Sequence, residues 1–177
     1  MNRIVLVGGG VRSGKSRWAL DTARGLGQRR LFVATARPSD AEMVERIARH
    51  RADRPGFGET VEEPLALPEL LWDGPLPEVV LVDCLSHWLT NLLLAPLGDA
   101  EILGRLDALA AALRLRRAHL VLVTNEVGLS LHADTPLGRR FQTLSGWMHQ
   151  RVSAVADEVH LAVLGLVVPL KRLEGVP

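Results

Sequence analysis

The sequence predicts an α/β fold: a mostly parallel sheet flanked by helices, with an antiparallel hairpin at its C-terminal edge. Three observations predict it. Short, wholly apolar runs such as Val79-Val80-Leu81-Val82 recur along the chain, as strands covered on both faces require. Stretches with helical spacing of apolar residues alternate with these runs, which is the pattern of a parallel sheet. The last two apolar runs are joined instead by a lone Gly165, the mark of a tight return.

Taken in order, Ile4 to Val7 is the first strand and Lys15 to Leu26 the helix after a glycine-rich loop. Leu31 to Ala34 is the second strand. Ser39 starts a helix with Glu42 three residues on, a capping-box spacing, and Met43, Ile47 and His50 share one of its faces. From Pro55 to Pro77 the chain is proline-rich and acidic and least regular, with a short helix expected between Leu65 and Trp72. Val79 to Val82 is a strand ending at Asp83, followed by a helix from Leu85 to Ala95. Asp99 is placed to cap the next helix, with Leu103, Leu106, Ala110 and Leu113 along one side. Leu120 to Val123 is a strand ending in Thr124-Asn125-Glu126. Thr135-Pro136 is an N-cap followed by proline at the first helical position, and Phe141, Leu144, Met148, Val152 and Val155 give that helix its apolar stripe. Val159 to Leu164 and Leu166 to Leu170 form the hairpin, whose Pro169 assigns the last strand to an edge. Residues 1–177 are expected to make a single domain.

Composition narrows the function classes. Apolar residues make up 47% of the 177, which excludes a disordered chain. A net charge of +1 gives no general attraction to nucleic acid or anionic lipid. One cysteine, Cys84, leaves no internal disulfide and no reason to expect an oxidising compartment. The apolar run at Met1 to Val7 is too short for a signal sequence, and Leu85 to Leu97 is too short to span a bilayer. A cytoplasmic protein is expected, without a transmembrane segment or a nucleic-acid partner.

Gly9-Gly10-Val11-Arg12-Ser13-Gly14-Lys15-Ser16 fits G-x-x-x-x-G-K-[ST] and lies between a predicted strand and a predicted helix. Glycines let the backbone turn so that several N–H groups converge on phosphate oxygens, and the helix N-terminus adds partial positive charge. Lys15 is expected to reach the β- and γ-phosphates and Ser16 to bind Mg²⁺. Lysine is scarce here: of 21 basic residues only Lys15 and Lys171 are lysines, so its place in the loop is hard to ascribe to chance. Val79-Val80-Leu81-Val82-Asp83 has the form of the second acidic element, whose carboxylate holds Mg²⁺. Together these indicate a P-loop NTPase-type domain, with ligands at the carboxyl ends of the strands.

Other residues are less decided by spacing. Thr124-Asn125-Glu126 is placed to orient a nucleophile or water near the γ-phosphate, or forms a self-satisfied turn. His50 lies within Arg49-His50-Arg51-Ala52-Asp53-Arg54; it is a nucleophile or acid/base group, or a histidine that helps to end its helix, and spacing alone favours the second role. His87, His119, His132, His149 and His160 lack metal-ligand spacing and are assigned to structure or surface. Trp18, Trp88, Trp147, Met43 and Met148 are assigned to the core, and Arg139-Arg140 to a solvated face. A regulatory GTPase is excluded, because Asp83 is not followed by D-x-x-G and Asn125 does not begin N-K-x-D.

Several blocks then fall in a familiar order: the loop Gly9 to Ser16; Val33-Ala34-Thr35-Ala36; Asp40 to Arg54; Val82-Asp83-Cys84-Leu85 with Trp88 to Leu93; Val123 to Gly128; Leu137 to Phe141; Gln150-Arg151; and Ala156 to Val159. Over nearly its whole length the chain resembles the bifunctional adenosylcobinamide kinase / adenosylcobinamide-phosphate guanylyltransferase family of cobalamin biosynthesis. The resemblance implies that His50 attacks the α-phosphate of GTP to form a guanylyl-histidine, from which GMP passes to adenosylcobinamide phosphate. It also implies phosphorylation of adenosylcobinamide by ATP or GTP. Nucleotide contacts are implied at Gly9, Gly10, Val11, Arg12, Ser13, Gly14, Lys15 and Ser16, at Ala34, Thr35 and Ala36, at Arg51, Ala52, Asp53 and Arg54, and at Glu62 and Asp83. A homotrimer is implied as well. Two positions depart from the family's usual pattern: Val11 replaces an alanine, and Gly56-Phe57-Gly58-Glu59-Thr60 lacks a tryptophan before the threonine. A P-loop small-molecule kinase using only the γ-phosphate, and a nucleotide-dependent binding or switch module, are the competing readings.

Overall fold

The computed structural model describes residues 1–38, 45, 48, 52 and 54–172. Its elements are β1 (Ile4–Gly9), α1 (Lys15–Leu26), β2 (Arg30–Ala34), β3 (Glu59–Glu62), α2 (Leu67–Asp73), β4 (Val79–Asp83), α3 (Leu85–Leu94), α4 (Asp99–Arg114), β5 (His119–Asn125), α5 (Pro136–Val155), β6 (Glu158–Val163) and β7 (Leu166–Lys171). The strands form one sheet in the order β3-β2-β4-β5-β1-β6-β7. All neighbours pair in parallel except β6 and β7, which are antiparallel.

The wholly apolar strands are explained by their two faces. Ile4 and Leu6 of β1, Val80 and Val82 of β4, and Leu120 and Leu122 of β5 enter a core with α2, α3, α4 and α5. Their alternates Val5, Val7, Val79, Leu81, Val121 and Val123 enter a second core with α1 and Phe57. Side chains alternate faces along a strand, so a strand with helices on both sides has no polar positions to spare. Trp88 and Met148 are fully buried in the first core. Trp147 is 40% exposed, which corrects its assignment to the core.

Two helix starts show what the local sequence controls. Thr135 caps α5, its Oγ1 accepting from the Gly138 amide at 3.1 Å. The cap of α4 is Gly98 rather than Asp99, and Glu101 accepts from the Gly98 amide at 2.8 Å. Asp99 is the first residue of the helix and takes an ion pair from Arg140 Nε at 2.6 Å. Arg140 therefore ties α5 to α4, which corrects its place on a solvated face, while Arg139 is exposed as expected and donates to the carbonyls of Ala133 and Asp134. The helix predicted from Ser39 falls on a stretch where only Glu45, Ala48 and Ala52 are described, each helical and exposed; the stripe of Met43, Ile47 and His50 lies outside the described residues.

Strand β3 was not anticipated. All four of its residues are exposed, so Glu-Thr-Val-Glu carries no burial pattern to betray a strand. The opposite edge is the hairpin, where β7 carries Pro169 as expected and Lys171 Nζ donates to the carbonyls of Ser153 and Ala156 at 3.1 and 2.6 Å.

The base of the sheet is fastened by one carboxylate. Asp157 accepts from the Ile4 amide at 2.8 Å and from both terminal nitrogens of Arg116 at 2.6 and 2.7 Å. It thus joins β1, β6 and the turn between α4 and β5. The Arg116 guanidinium, against the opposing effect of burial, holds the Asp157 carboxyl below its ordinary 3.8. Ionised Asp157 therefore stabilises the fold above that value, and the contribution is lost as pH falls below it through the depressed folded value. Asp157→Asn is expected to cost about 1–3 kcal/mol at neutral pH. Its melting temperature should also fall less steeply than that of the wild type on acidification, as followed by circular dichroism.

Candidate functional site

The registers bring the predicted residues to one edge of the sheet. Ala34 at the end of β2 pairs with Glu62 of β3 on one side and with Asp83 of β4 on the other. Gly9 at the end of β1 pairs with Asn125 of β5 and with Ala162 of β6. Along the carboxyl edge the order is therefore Glu62, Ala34, Asp83, the end of β5, then Gly9. Strands lie about 4.8 Å apart, so Asp83 is roughly 10 Å from Gly9 with β5 between them, and Glu62 is roughly 20 Å away.

The loop after β1 has the form of a phosphate cradle. Gly14, the N-cap of α1, is left-handed with φ 91°, and Arg12 is left-handed with φ 55°. No side chain caps the helix, so its first N–H groups point into the loop unpaired by the helix itself. Such an array, at the positive end of a helix, binds oxyanions. Lys15 is buried and its Nζ donates to the Gly10 carbonyl at 3.0 Å. Ser13 Oγ is buried without a hydrogen-bond partner, which suits a group that receives a phosphate oxygen. Val11 points to solvent, so its extra methyl groups relative to alanine meet no steric obstacle.

Beside the cradle, on the α1 face, lies a cleft of about 450 Å³ lined by Ser16, Arg17, Leu20, Asp21, Arg24, Phe32, Arg54 and Asp83. Arg54 is buried, with its Cζ 3.6 Å from the Phe32 ring centroid, a cation–π stack. Phe57 is buried and meets Phe32 edge-on at 6.1 Å, and Glu59, just before the threonine, is exposed. Of the other residues in the implied stretch, Ala52 is exposed, and His50, Arg51 and Asp53 lie outside the described residues. Among the described residues no group of three His, Cys, Asp or Glu side chains is arranged to hold a metal. Ser16 and Asp83 suit Mg²⁺, which takes one or two protein oxygens and completes its shell with phosphate and water.

Thr35 is fully buried, and its hydroxyl donates to the Cys84 carbonyl at 2.6 Å and accepts from the Cys84 amide at 2.9 Å. Its own carbonyl accepts from Asn91 Nδ2 at 2.7 Å. Its polar groups thus fix the turn that carries Asp83. Burial, with the neighbouring Asp83 charge, pushes the Cys84 thiol up to about 12, so this cysteine is no nucleophile at neutral pH.

A second polar constellation was missed in part by the sequence. Ser86 Oγ accepts from the Asn125 amide at 2.6 Å and lies 3.1 Å from Thr124 Oγ1. Thr124 Oγ1 lies 2.8 Å from His149 Nε2. His149 Nδ1 in turn faces Glu126 Oε2 at 3.5 Å. Glu126 Oε1 is held by the amides of Gly128 and Leu129. The backbone amide of Glu126 donates to Gly9 O at 3.1 Å. The segment Thr124-Asn125-Glu126 was legible as polar groups at a strand end. His149 and Ser86 lie 25 and 38 residues from Thr124 in the chain, and only packing of α3 and α5 brings them in.

Residues 5–170 match the family described as cobinamide kinase / cobinamide phosphate guanyltransferase. The chain is 43% identical over 168 residues to the bifunctional adenosylcobalamin biosynthesis protein CobP of Pseudomonas aeruginosa, covering 94% of this chain and 96% of that protein. It is 38% identical over 181 residues to the bifunctional adenosylcobalamin biosynthesis protein CobU of Escherichia coli, covering 95% and 99%. Among solved structures it is similar in fold to the flagellar accessory protein FlaH of Methanocaldococcus jannaschii, with TM-score 0.55, 12% identity and coverage of 97% and 79%. It is likewise similar to the RadB recombinase, with TM-score 0.53, 14% identity and coverage of 97% and 82%.

Two outcomes follow from the geometry. A Cβ atom on Gly9 would lie 2.5 Å from Ala162 O and 2.6 Å from Ser13 Oγ; Gly9→Ala should cost about 1–3 kcal/mol and abolish nucleotide binding in calorimetric titration. Burial drives the His149 pKa below its ordinary 6.5, against the pull of Glu126. Nitrogen NMR at pH about 6.5 should therefore find His149 neutral, with Nδ1 protonated and Nε2 bare.

Proposed function

The chain belongs to the cobinamide kinase / cobinamide phosphate guanyltransferase family, and on that premise we propose that one catalytic domain carries both activities of its relatives. In the first, ATP or GTP phosphorylates the hydroxyl of adenosylcobinamide. In the second, GMP passes from GTP to adenosylcobinamide phosphate, giving adenosylcobinamide-GDP. The observation that carries this reading is the meeting of Ser16, Asp83 and Arg54 in one cleft beside the loop.

The triphosphate lies in the loop, where backbone amides, Lys15 and the N-terminus of α1 offset its charge. Ser16 and Asp83 would hold a magnesium ion, which would offset negative charge on the phosphates. Glu62, some four strands from the loop, meets the ribose or base end of an extended nucleotide rather than its phosphates. Ala34 and Ala36 offer backbone on that path, and Thr35 acts from behind through its grip on Cys84. Arg54 brings a fixed positive charge, its plane set by Phe32. His50 is the nucleophile of guanylylation: it attacks the α-phosphorus, pyrophosphate leaves, and the guanylyl group then passes to the corrinoid phosphate. Covalent transfer divides one hard substitution into two easier ones.

No helix among the described residues is long and apolar enough to cross a membrane, and the proposed setting is the cytoplasm. The proposed assembly is a homotrimer. Exposed Leu164, Leu166 and Leu170 on the terminal hairpin support burial of that surface between subunits.

Incubation with α-labelled GTP and Mg²⁺ is expected to leave an acid-labile, base-stable label on the protein that is absent from His50→Ala. An unlabelled wild type would refute the transferase reading and favour a kinase confined to the γ-phosphate. Lys15→Ala should weaken triphosphate binding by about 10- to 100-fold, as loss of a charge-assisted contact implies, measured by equilibrium dialysis.

A further inference from the structure

The chain Ser86–Thr124–His149–Glu126 is not used by the nucleotide cradle, yet it runs through the strand that separates the cradle from Asp83. Its direction follows from the carboxylate end. Glu126 Oε2 can only accept, so a neutral ring facing it through Nδ1 at 3.5 Å carries its proton there. Nε2 is then the acceptor in the contact with Thr124 Oγ1, which donates to it. Thr124, having turned its proton to the ring, accepts from Ser86 Oγ, which itself accepts from the Asn125 amide. Two buried hydroxyls and a largely buried ring are thus ordered behind one carboxylate.

That carboxylate is unusual in its partners. The Gly128 and Leu129 amides hold Oε1, and no Arg or Lys pairs with Glu126 among the described residues. Among the described residues its Oε2 meets only the long 3.5 Å contact to His149, and its side chain keeps 23% exposure. A carboxylate that served only to staple the turn would need no histidine, and one that served charge balance would have a cation beside it. Glu126 stands one residue beyond β5, with its backbone on Gly9. It therefore borders the place where the terminal phosphate of a nucleotide in the loop ends, and a triphosphate arriving there raises its proton affinity by like-charge repulsion.

Resting on the phosphoryl-transfer reading above, we infer that Glu126 is the general base that takes the proton of the acceptor hydroxyl, and that His149 is its positioning residue. The hydroxyl O–H bond breaks and its proton passes to Glu126 Oε2. The oxygen's electron pair forms the bond to the γ-phosphorus. The bond from that phosphorus to the bridging oxygen breaks, and its pair leaves with the nucleoside diphosphate. Glu126 then returns the proton to water.

The test is the steady-state release of nucleoside diphosphate with adenosylcobinamide as acceptor, on full-length protein with matched melting temperatures. Glu126→Gln is expected to lower kcat by at least about 100-fold, the range of general-base catalysis, with the KM for nucleotide within about threefold. His149→Ala should lower kcat by about tenfold, and His149→Asn, whose carboxamide nitrogen replaces Nδ1, should recover most of it, within the same range for assisted proton transfer. An E126Q enzyme with wild-type kcat overturns the assignment, as does a loss confined to KM, or a His149→Asn no better than His149→Ala. Should E126Q fail to fold, Glu126→Asp reads the same step: a carboxylate drawn back by one methylene must lower kcat, and an unchanged rate refutes the role. A wild type that releases no diphosphate refutes the kinase reading itself, whereas an active wild type equalled by E126Q refutes only this inference.

Discussion

At Gly9 three strands meet the phosphate loop in a space that has no room for a Cβ atom. Its residue pairs with β5 on one side and β6 on the other. The Ala162 carbonyl and the Ser13 hydroxyl close over it. Its own carbonyl receives the Glu126 amide. The curvature that turns Ser13, Gly14 and Lys15 toward a phosphate is therefore set by contact with β6, and the same peptide fixes where β5 delivers Glu126. Cradle and carboxylate are referenced to a single point, so neither is adjustable without the other.

The strand order gives this point its chemical use. With β5 inserted between β1 and β4, the loop and Asp83 stand apart by the width of one strand, and the polar end of β5 faces the interval. Thr35 and Asn91 hold the turn beyond β2 and so set Asp83 from behind. Arg54 approaches from the α1 face over Phe32. Each charged group at the edge is thus backed by a buried contact, which lowers the reorganisation needed when a triphosphate binds.

Much of the fold was legible because burial on both faces leaves a simple signature. The central strands, α1, α5 with its Thr135 cap, and the hairpin with Pro169 all lay where apolar runs and turn residues put them. What escaped had no such signature. Glu59–Glu62 is an exposed edge strand, and its pairing with β2 depends on backbone alone. Asp99 had the chemistry of a cap but serves Arg140, because Gly98 takes the extended conformation instead. For the site, the loop and Asp83 were legible as contiguous motifs. His149 was not: its meaning comes from a helix face that packs against the end of β5, and nothing in the residues beside it records that contact.

The two lysines have a practical consequence. Lys15 sits under the loop on Gly10 O, and Lys171 rests on the carbonyls of Ser153 and Ala156. Every other cationic side chain apart from histidine is arginine, which acylating reagents leave untouched. Side-chain amine chemistry on this protein therefore has just two addresses, one at the hairpin and one inside the cradle. Mass spectrometry of the Lys15 peptide would report directly on whether a nucleotide shields it.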